Sequence, residues 1–424
     1  MKNIAFVIYY HRDNFYSLNA IVGALETDKI FDAIDFFFAE SDDELYKILE
    51  KMIGLYNKII VGISFYTTQL FEIRELVHIL KNRFKEKCII IAGGPHPTGD
   101  PFGTLKMGFD VVVVGEGEET IIEFMQKINS NEDFYSIKGI AYIDSEKEYY
   151  YTGKRDLINL NNYRPFPIKI TRFGAIEITR GCPYVCYFCQ TPYILGTSPR
   201  HRSIKKICEY VEELKAYYGD LTFIRFISPN AFSYGSEDGK KLNLEKLQNL
   251  LLNVREIIGT KGKIFIGTYP SEVRPEHVNE ETLNLILKYA NNDNITIGAQ
   301  SGSQRILDLC HRGHTVEDIY NATKLALKAN LNVNLDFIFG LPGEKKEDIE
   351  LSIKLMKEIS NERVRIHTHM FIPLPQTPFA KKPVRYINQT YKKEIEKLIS
   401  KGFAFGEWRK QEKLAFKIAK YLNR

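Results

Sequence analysis

The sequence has few cysteines and no long apolar run, and each of these scarcities excludes a class of protein. Six cysteines among 424 residues are too few for the disulfide framework of a small secreted domain. No apolar stretch approaches the roughly eighteen residues that a membrane-spanning helix needs. The short apolar run Ile4–Tyr10 reads as a buried strand rather than as a signal peptide. We therefore expect a cytoplasmic protein without a membrane partner.

Two ligand-binding patterns are also missing. The first predicted strand is followed by Tyr10-His11-Arg12-Asp13, without the glycine-rich turn that lets a backbone approach a dinucleotide pyrophosphate. The aromatic patches Phe36–Phe38 and Tyr149–Tyr151 have the spacing of strands that cover a core or hairpin. They lack the interleaved basic residues of a single-strand-binding surface. Neither a nicotinamide or flavin dinucleotide nor a nucleic acid is predicted.

The composition is that of a globular protein of two or three domains, with 44% hydrophobic and 26% charged residues. The net charge of +5 is unevenly distributed, because residues 381–424 hold 13 Lys or Arg and only 4 Asp or Glu. Such a basic segment either docks an acidic partner or forms a solvated helical face.

The first 128 residues alternate between strand and helix patterns. The predicted strands are Ile4–Tyr10, Ile34–Phe38, Lys58–Ser64, Cys88–Ala92 and Asp110–Val114. Strands separated by helices indicate a doubly wound, five-stranded parallel sheet, whose ligands lie at the carboxyl ends of the strands. Three of those ends carry small and polar residues: Ser64, Tyr66 and Thr67; Gly93, Gly94 and His96; and Gly115, Glu116, Gly117 and Glu118.

The remaining chain is predicted to hold a hairpin and a linker, a second alternating region and a helical end. Residues 129–169 form the hairpin and linker, with short strand-like pieces at Ile137–Ile143 and Tyr149–Thr152. Residues 170–385 form the second domain and residues 386–424 a small helical C-terminal domain. The strands expected in the second domain are Ala175–Thr179, Thr222–Ile227, Lys263–Gly267, Thr296–Ala299, Asn334–Phe339 and Arg365–Phe371. Six strand–helix units fall short of the eight of a closed barrel, so a partial (β/α)6 barrel is expected.

Three of the six cysteines lie within eight positions, directly after the first strand of the second domain. Cys182, Cys186 and Cys189 can bind three irons of one cluster and leave the fourth iron open for a substrate. A zinc site is the alternative, with His201 as the nearest fourth ligand. The scattered Cys88, Cys208 and Cys310 are interpreted as ordinary, partly buried thiols.

The spacing Cys-x3-Cys-x-Phe-Cys resembles the signature of the radical S-adenosylmethionine (SAM) superfamily. Three further segments resemble motifs of the same superfamily: residues 297–303, residues 336–344 and residues 373–378. The resemblance implies that the three cysteines hold a 4Fe–4S cluster whose open iron binds SAM. By position it also implies SAM contacts from Phe188, Asn230, Gln300, Ser301, Arg312, Gly340 and Leu341. For Arg312 the alternative is a surface salt bridge, and for Gly340 and Gly343 it is turn formation.

A doubly wound domain before a radical SAM domain resembles the cobalamin-binding (class B) radical SAM methyltransferases. That likeness implies a corrin ring across the carboxyl ends of the first sheet, contacted by the ten residues named there. The Asp-x-His-x-x-Gly sequence that supplies a histidine to cobalt in other cobalamin proteins is missing, and neither His11 nor His96 has its context. We therefore expect no histidine on cobalt; a tyrosine, a water or an empty position remain the options.

The resemblance implies radical methylation of an unactivated carbon, with cobalamin cycling through methylcobalamin and a low-potential electron donor as partner. Length and layout are similar to those of the methanogen enzymes that modify methyl-coenzyme M reductase, and the predicted substrate is a glutamine Cα of its alpha subunit. Cyclisation or rearrangement of a small molecule, and a cobalamin sensor or carrier with a structural cluster, are the alternatives. Methylthiolation is disfavoured, because that family carries a second cysteine-bound cluster and only Cys88 precedes Cys182.

Overall fold

The computed structural model describes residues 2–423, and the chain divides into two compact units, residues 1–174 and 175–424. Among the described residues, no helix is long and apolar enough to cross a membrane. The predicted boundary at residue 128 falls inside the first unit, and the predicted C-terminal segment 386–424 falls inside the second.

The first unit is built on one seven-stranded sheet. Its strands are β1 (Lys2–Tyr9), β2 (Ile34–Ala39), β3 (Tyr56–Ser64), β4 (Ile89–Gly93), β5 (Val111–Val113), β6 (Ile140–Ile143) and β7 (Tyr149–Tyr151). Their order is β2-β1-β3-β4-β5-β6-β7. The first five strands pair in parallel, as predicted, so their carboxyl ends meet at one edge. The predicted hairpin is present as β6–β7, and it extends this sheet antiparallel to β5.

Six helices accompany this sheet, and their ends follow local sequence signals. They are α1 (Phe15–Leu25), α2 (Asp42–Met52), α3 (Leu70–Phe84), α4 (Pro95–Gly99), α5 (Pro101–Leu105) and α6 (Glu118–Ser130). Helix α2 begins where the Ser41 hydroxyl accepts a hydrogen bond from the Glu44 backbone N–H. Helices α1 and α6 bury Val22 and Phe124 against Phe6 of β1, which forms one apolar core.

The second unit contains two parallel sheets joined edge to edge. Its strands are β8 (Ile176–Glu177), β9 (Thr179–Arg180), β10 (Arg200–His201), β11 (Phe223–Ile227), β12 (Lys263–Phe265), β13 (Asn294–Gln300), β14 (Asn332–Phe339), β15 (Val364–Met370) and β16 (Ala404–Phe405). The sheet orders are β12-β11-β8 and β13-β14-β15-β16, with β9 and β10 as a separate antiparallel pair. A parallel bridge between Val273 and Ile297 links the two larger sheets. The six predicted strands and the partial barrel are thus confirmed.

Helices alternate with these strands. They are α7 (Thr191–Leu195), α8 (Ile204–Tyr218), α9 (Leu244–Ile258), α10 (Glu280–Tyr289), α11 (Gln304–Leu309), α12 (Val316–Lys328), α13 (Lys346–Ile359), α14 (Gln389–Ser400) and α15 (Trp408–Leu422). At α12, the Thr315 hydroxyl accepts from the Asp318 N–H and the Asp318 carboxylate accepts from the Thr315 N–H. Along β14, burial alternates from residue to residue, so that one face packs under helices and the other faces away from them.

The C-terminal segment adds a strand that the sequence did not predict. Strand β16 pairs with β15, and the Gln411 side chain accepts a hydrogen bond from the Met370 N–H (2.8 Å). Helix α15 buries Trp408 and Ile418 and leaves its lysines exposed. The helical end is thus packed into the second unit through β16, Gln411 and the buried face of α15.

Candidate functional sites

The three clustered cysteines lie on one loop after β9, and all three are free thiols. Gly181 begins the loop with a φ of +91°, and a Cβ there would lie 2.5 Å from the Ser198 carbonyl oxygen. The Cys182 N–H donates to the Gly196 carbonyl (3.1 Å). A side chain at position 181 is excluded twice, by conformation and by space, so this glycine sets the path of the loop.

Two other elements hold the loop in place. The Tyr187 N–H donates to the Cys310 carbonyl (3.0 Å) at the end of α11, and the Phe379 N–H donates to the Tyr187 carbonyl (3.2 Å). The Tyr187 ring stacks on His311, with ring centroids 5.5 Å apart. The loop is thereby fixed to segments more than one hundred residues away in sequence.

The surroundings of the thiols determine their protonation. Burial raises the pKa of Cys182, and it raises the pKa of Cys189 to about 11. Both groups are therefore thiols at neutral pH until a metal displaces the proton. His201 is not aimed at them: its Nε2 donates to the Ser236 carbonyl (2.7 Å), and its Nδ1 lies 2.9 Å from Thr179 Oγ1. The zinc alternative therefore lacks its proposed fourth ligand.

Arg312 lies beside the cysteine loop and is buried, which contradicts the alternative of a surface salt bridge. Its Nη1 lies 3.8 Å from Cys186 Sγ, and its Nη2 donates to the Gly298 carbonyl (2.9 Å). A Cβ at Gly298 would come within 2.5 Å of Nη2, so glycine is needed for this approach. Burial opposes the charge, but Cys186 and Glu272 raise the pKa of Arg312 above its ordinary value.

A second buried arginine, Arg274, supports the first. It donates from Nη2 to the Arg312 carbonyl, and its guanidinium carbon lies 3.4 Å from the centroid of the Tyr184 ring. The Asn230 Oδ1 accepts from the Arg274 N–H (3.2 Å), and Asn230 Nδ2 lies 2.6 Å from His277 Nδ1. Asn230, predicted to contact SAM, thus uses its amide to hold neighbouring loop residues.

Gln300, the last residue of strand β13, and Ser301 directly after it were both predicted to contact SAM. Gln300 is buried and has a φ of +68°, a left-handed conformation that costs a non-glycine residue free energy. The pairing of β13 with β14 is irregular between Ile297 and Gln300. Ser301 Oγ accepts from the Ser303 N–H (3.1 Å) and lies 3.3 Å from Ser352 Oγ. The strained backbone belongs to a loop that other elements hold in place.

Phe188, Leu341 and Gly340 come together from distant parts of the sequence. Phe188 packs against an apolar cluster that includes Leu341 and Phe371. Gly340 has a φ of +74° and donates its N–H to the buried carboxyl of Glu344 (2.7 Å). Burial raises the pKa of Glu344 to about 8.

Sequence reasoning missed Arg274, Glu272 and His314. His314 is buried, and its Nε2 donates to the Ala299 carbonyl (3.1 Å). Burial and the two nearby arginines lower the pKa of His314 to about 2, so the ring is neutral. A single arginine, glutamate or histidine in a loop carries no sequence pattern, and only the fold brings these three together.

In the first unit, three predicted groups meet at the carboxyl edge of the sheet. Ser64 of β3 pairs with Gly93 of β4, and the Gly115 N–H donates to Thr98 Oγ1 (3.1 Å). A Cβ at Gly93 or Gly115 would meet no atom within 4 Å, whereas one at Gly94 would lie 2.6 Å from Ser64 Oγ. The edge therefore exposes bare backbone, against which a flat ligand can lie.

The side chains of His96, Thr67 and Tyr66 differ in how far they are exposed near that edge. His96 is fully buried, and its Nδ1 lies 3.1 Å from the hydroxyl of Thr67, which is also buried. Burial lowers the pKa of His96 to about 4. Tyr66, next to Thr67, is 42% exposed. Tyr66, rather than the buried His96, is therefore the side chain that an incoming ligand can reach.

The residues after β5 have structural contacts. Glu116 is buried and accepts a hydrogen bond from the Ile158 N–H (2.8 Å). A Cβ at Gly117 would lie 2.8 Å from the Ile21 side chain, and Glu118 is buried at the start of α6. A polar group that the sequence did not single out lies near Ser64: Ser17 Oγ of α1 is 3.0 Å from Ser64 Oγ.

The residues present fit the groups that the resemblance implied. In the second unit, three free thiols on one loop lie beside Arg312, whose buried Nε has no hydrogen-bond partner among the described residues. This Nε can donate to a negatively charged group of a ligand. In the first unit, the open backbone at Gly93 and Gly115 leaves room for a planar group.

Comparison with protein families matches both units. The family model described as the radical SAM superfamily matches residues 176–356, and that of the B12-binding domain matches residues 16–125. The chain carries a radical SAM domain and a B12-binding domain. It is therefore a radical SAM enzyme, and the predicted cofactors, a 4Fe–4S cluster, SAM and cobalamin, are those of its two domains.

Similar proteins share this layout. A protein of Pyrococcus horikoshii described as an uncharacterized methyltransferase is 26% identical over 334 residues, which is 75% of this chain and 68% of that protein. A tRNA-2-methylthio-N(6)-dimethylallyladenosine synthase of Petrotoga mobilis is 29% identical over 62% of this chain and 61% of its own. Among solved structures, the radical SAM methyltransferase TsrM of Kitasatospora setae aligns with a TM-score of 0.67 and 17% identity, over 90% of this chain and 75% of its own. That likeness shows the fold.

Proposed function

We propose that the chain is a cobalamin-dependent radical SAM methyltransferase that methylates an unactivated carbon. The observation that carries this proposal is the pairing, on one chain, of a three-thiol loop beside a buried arginine with a B12-binding sheet edge. The names of the Pyrococcus relative and of TsrM, both methyltransferases, support it.

The protein's part is to hold and orient the two cofactors. When bound, the cluster supplies the electron that cleaves SAM into a radical, and cobalamin supplies the methyl group. Cys182, Cys186 and Cys189 hold the cluster. Arg312 places a fixed positive charge beside Cys186.

One nitrogen of the Arg312 guanidinium can also donate a hydrogen bond to SAM. Its Nη1 and Nη2 are directed at Cys186 and Gly298, while its Nε has no partner in the part of the chain that the structure describes. A carboxylate such as that of SAM is the group that a guanidinium binds best. We assign the SAM carboxylate to Arg312, with Arg274 holding the Arg312 backbone in place.

Cobalamin would lie on the edge formed by Ser64, Gly93 and Gly115. His96 cannot bind the cobalt without a rearrangement, because it is fully buried beneath Thr67 and Phe65. The exposed Tyr66, rather than the buried His96, would be the side chain available to cobalamin at this edge.

The substrate is proposed to be a protein or peptide, with a glutamine Cα of the methyl-coenzyme M reductase alpha subunit as the specific target. Support comes from the layout of the chain and from the basic C-terminal helix, on which Lys413, Lys417 and Lys420 are exposed at helical spacing. A lysine stripe of this kind suits an acidic protein surface. A solvated helix face gives the same pattern, so the substrate has to be tested directly.

The test uses SAM with a trideuterated methyl group and a synthetic peptide that spans the reductase glutamine. The reconstituted enzyme is incubated with both under reducing conditions, and fragments are read by tandem mass spectrometry. We expect one trideuteromethyl group on the glutamine backbone carbon, and none on a peptide with alanine in its place. Formation of 5′-deoxyadenosine without peptide labelling would reject this substrate and leave the enzyme class standing.

Methylthiolation, the activity of the Petrotoga relative, is the second candidate. The sequence relatives favour it, but Cys88 is the single cysteine before Cys182. That thiol is buried, and burial raises its pKa to about 11. The first unit therefore lacks the ligands for a second cluster. A gain of sulfur together with the methyl group in the product would overturn the methyltransferase proposal.

A further inference from the structure

Three side chains on neighbouring strands of the second unit converge on one point, and none of them has a role so far. His367 Nδ1 lies 3.1 Å from Asp336 Oδ1 and 3.1 Å from His369 Nε2. Asp336 Oδ1 and His369 Nε2 are 3.9 Å apart. The three atoms therefore form a compact triangle with no other protein group needed to complete it.

Two arrangements can hold this triangle, a shared proton or a cation. A ring nitrogen either carries a proton and donates, or lacks one and accepts. His367 Nδ1 can donate to the Asp336 carboxylate and share the same proton with His369 Nε2. A cation at the centre satisfies all three atoms at once, because each offers it a lone pair.

The distances are those of ligands around a small metal ion. Nitrogen and oxygen ligands bound to tetrahedral zinc at about 2.0–2.1 Å lie roughly 3.3 Å from each other. The observed separations of 3.1, 3.1 and 3.9 Å lie on either side of this value. Two imidazoles and one carboxylate suit zinc and iron(II) rather than magnesium or calcium, which prefer all-oxygen sites.

The fold prepares this arrangement through strand register. In the parallel pair β14–β15, Asp336 is opposite His367, and Ile338 is opposite His369. Alternation along each strand puts the three side chains on the same face. The His367 ring also stacks on Phe405 of β16, with centroids 4.5 Å apart and planes 7° from parallel. Stacking fixes the ring plane before any ligand binds.

The site is open on one side. The side chains of Asp336, His367 and His369 keep 17%, 33% and 29% of their surface exposed. Three protein ligands with an accessible remaining position are the mark of a catalytic or substrate-binding metal site, whereas structural zinc sites have four protein ligands. Glu272, the partner of Arg312, lies within electrostatic range of Asp336. The triangle is thus near the SAM-binding end of the same unit.

We propose that Asp336, His367 and His369 form a mononuclear site for a divalent first-row transition metal of the zinc class. Its open position takes water or an oxygen or nitrogen donor of a small ligand. The site does not depend on methyl transfer, so it stands or falls separately from the proposed function.

The test measures metal content in the reconstituted enzyme, whose cysteines are occupied by the cluster. Protein is equilibrated with Zn²⁺, gel-filtered and analysed by inductively coupled plasma mass spectrometry. We expect about one zinc per chain in the wild type and in a variant with Cys182, Cys186 and Cys189 all changed to alanine. We expect Asp336→Asn and His369→Gln each to retain less than about a tenth of the zinc of the wild type, because each variant lacks one of the three ligands. His78→Gln, on the exposed face of α3, is the matched control and keeps its zinc.

Two outcomes overturn the proposal: a wild type that retains no zinc, or zinc that is lost only when the cysteines are removed. If Asp336→Asn or His369→Gln fails to fold, the cobalt(II) spectrum of the wild type decides. Nitrogen and oxygen ligation shows visible d–d bands without a thiolate charge-transfer band, and a thiolate band would place the metal on the cysteines instead.

Discussion

Arg312 makes three kinds of contact at once, and its planar guanidinium makes this possible. It reaches Cys186 Sγ with one nitrogen, the Gly298 carbonyl with another, and Glu272 at 3.9 Å. A lysine ammonium keeps the charge but cannot present donors in this fixed fork. An Arg312→Lys variant therefore keeps the charge at this position and removes the geometry.

Arg312→Lys is expected to lower the rate of 5′-deoxyadenosine formation about tenfold or more, because a hydrogen bond to a charged group contributes roughly 1.5–3 kcal/mol and about 1.4 kcal/mol is a factor of ten. The iron content of the reconstituted protein should not change, since the three cysteines remain. The measurement is deoxyadenosine by mass spectrometry alongside iron quantification. Arg409→Lys, at an exposed position of α15, is the control. An Arg312→Lys rate equal to that of the control would remove the arginine from the SAM site.

Glu344 gives a pH signature. Burial raises its pKa from 4.5 to about 8, although the Gly340 N–H bond opposes the shift. Because the folded-state pKa is above the ordinary one, the protonated acid is favoured in the folded state. The contribution of Glu344 to the free energy of unfolding is therefore greatest below about pH 4.5 and is lost as the pH rises to about 8.

Glu344→Gln keeps an acceptor for Gly340 but does not ionise. We expect the unfolding temperature of the wild type to fall relative to this variant between about pH 5 and pH 8, and then to run parallel. The full shift corresponds to on the order of a few kcal/mol. Thermal melts of both proteins across this pH range give the comparison. Curves that stay parallel throughout would show that Glu344 is ionised at neutral pH in the folded protein.

At the residue scale, the site residues that could be predicted are those that lie close together in the sequence. Cys182, Cys186 and Cys189 are separated by only three and two residues, so spacing alone identifies a cluster loop. Arg274 and His314 come from separate loops and meet only in the fold. Asp336 and the two histidines are one strand apart, and their convergence depends on the register of β14 with β15.

Among the elements, β16 depends on one glycine. Gly406 has a φ of +128°, and a Cβ there would lie 2.3 Å from the Thr368 carbonyl oxygen of β15. Gly402 has a φ of +77°, but a Cβ there would meet nothing within 4 Å. The two glycines share a left-handed backbone and differ in the space around them.

Gly406→Ala is expected to lower the unfolding temperature at least twice as much as Gly402→Ala. Both changes cost about 1–2 kcal/mol for the left-handed conformation, and the clash with Thr368 adds roughly 1–3 kcal/mol at position 406. Thermal unfolding of the two variants side by side measures the difference. Equal losses would mean that β16 moves away from β15 at little cost.

The carboxyl edge of the first sheet offers a test of ligand contact without loss of stability. A side chain at Gly93 meets no protein atom near its Cβ, and this residue is not in the left-handed region. Gly93→Leu should therefore leave the melting temperature of the cobalamin-free protein nearly unchanged, while it weakens hydroxocobalamin binding at least tenfold by occupying the corrin's place. Absorbance titration with hydroxocobalamin measures the affinity. The affinity of Gly93→Ala should lie between those of the wild type and Gly93→Leu. Unaltered affinity in Gly93→Leu would move cobalamin away from this edge.

The elements themselves were mostly predictable, because long alternating segments carry strong periodicity. The five strands of the first sheet and the six of the second unit appear where expected. Strand β16 has two residues, too few to show a period. The hairpin β6–β7 was visible as two strand-like pieces, but its pairing with β5 is a long-range contact that no local pattern encodes.

For the whole molecule, two units imply two cofactor functions that can be removed separately. Cys186→Ala removes a cluster ligand in the second unit, and Gly93→Leu blocks the sheet edge of the first. We expect Cys186→Ala to bind hydroxocobalamin with normal affinity but to form no 5′-deoxyadenosine. We expect Gly93→Leu to form 5′-deoxyadenosine but to bind hydroxocobalamin weakly. Loss of both activities in either variant would show that one cofactor is needed to bind the other.

We propose that this chain uses SAM both as radical source and as methyl donor to cobalamin. The decisive measurement is anaerobic reconstitution with iron, sulfide and hydroxocobalamin, followed by trideuteromethyl SAM and a strong reductant. Mass spectrometry then reads 5′-deoxyadenosine and the corrin from the same sample. We expect deoxyadenosine together with a corrin that carries the trideuteromethyl group. Deoxyadenosine with an unmethylated corrin would contradict methyl transfer, and absence of both would contradict the radical SAM enzyme itself.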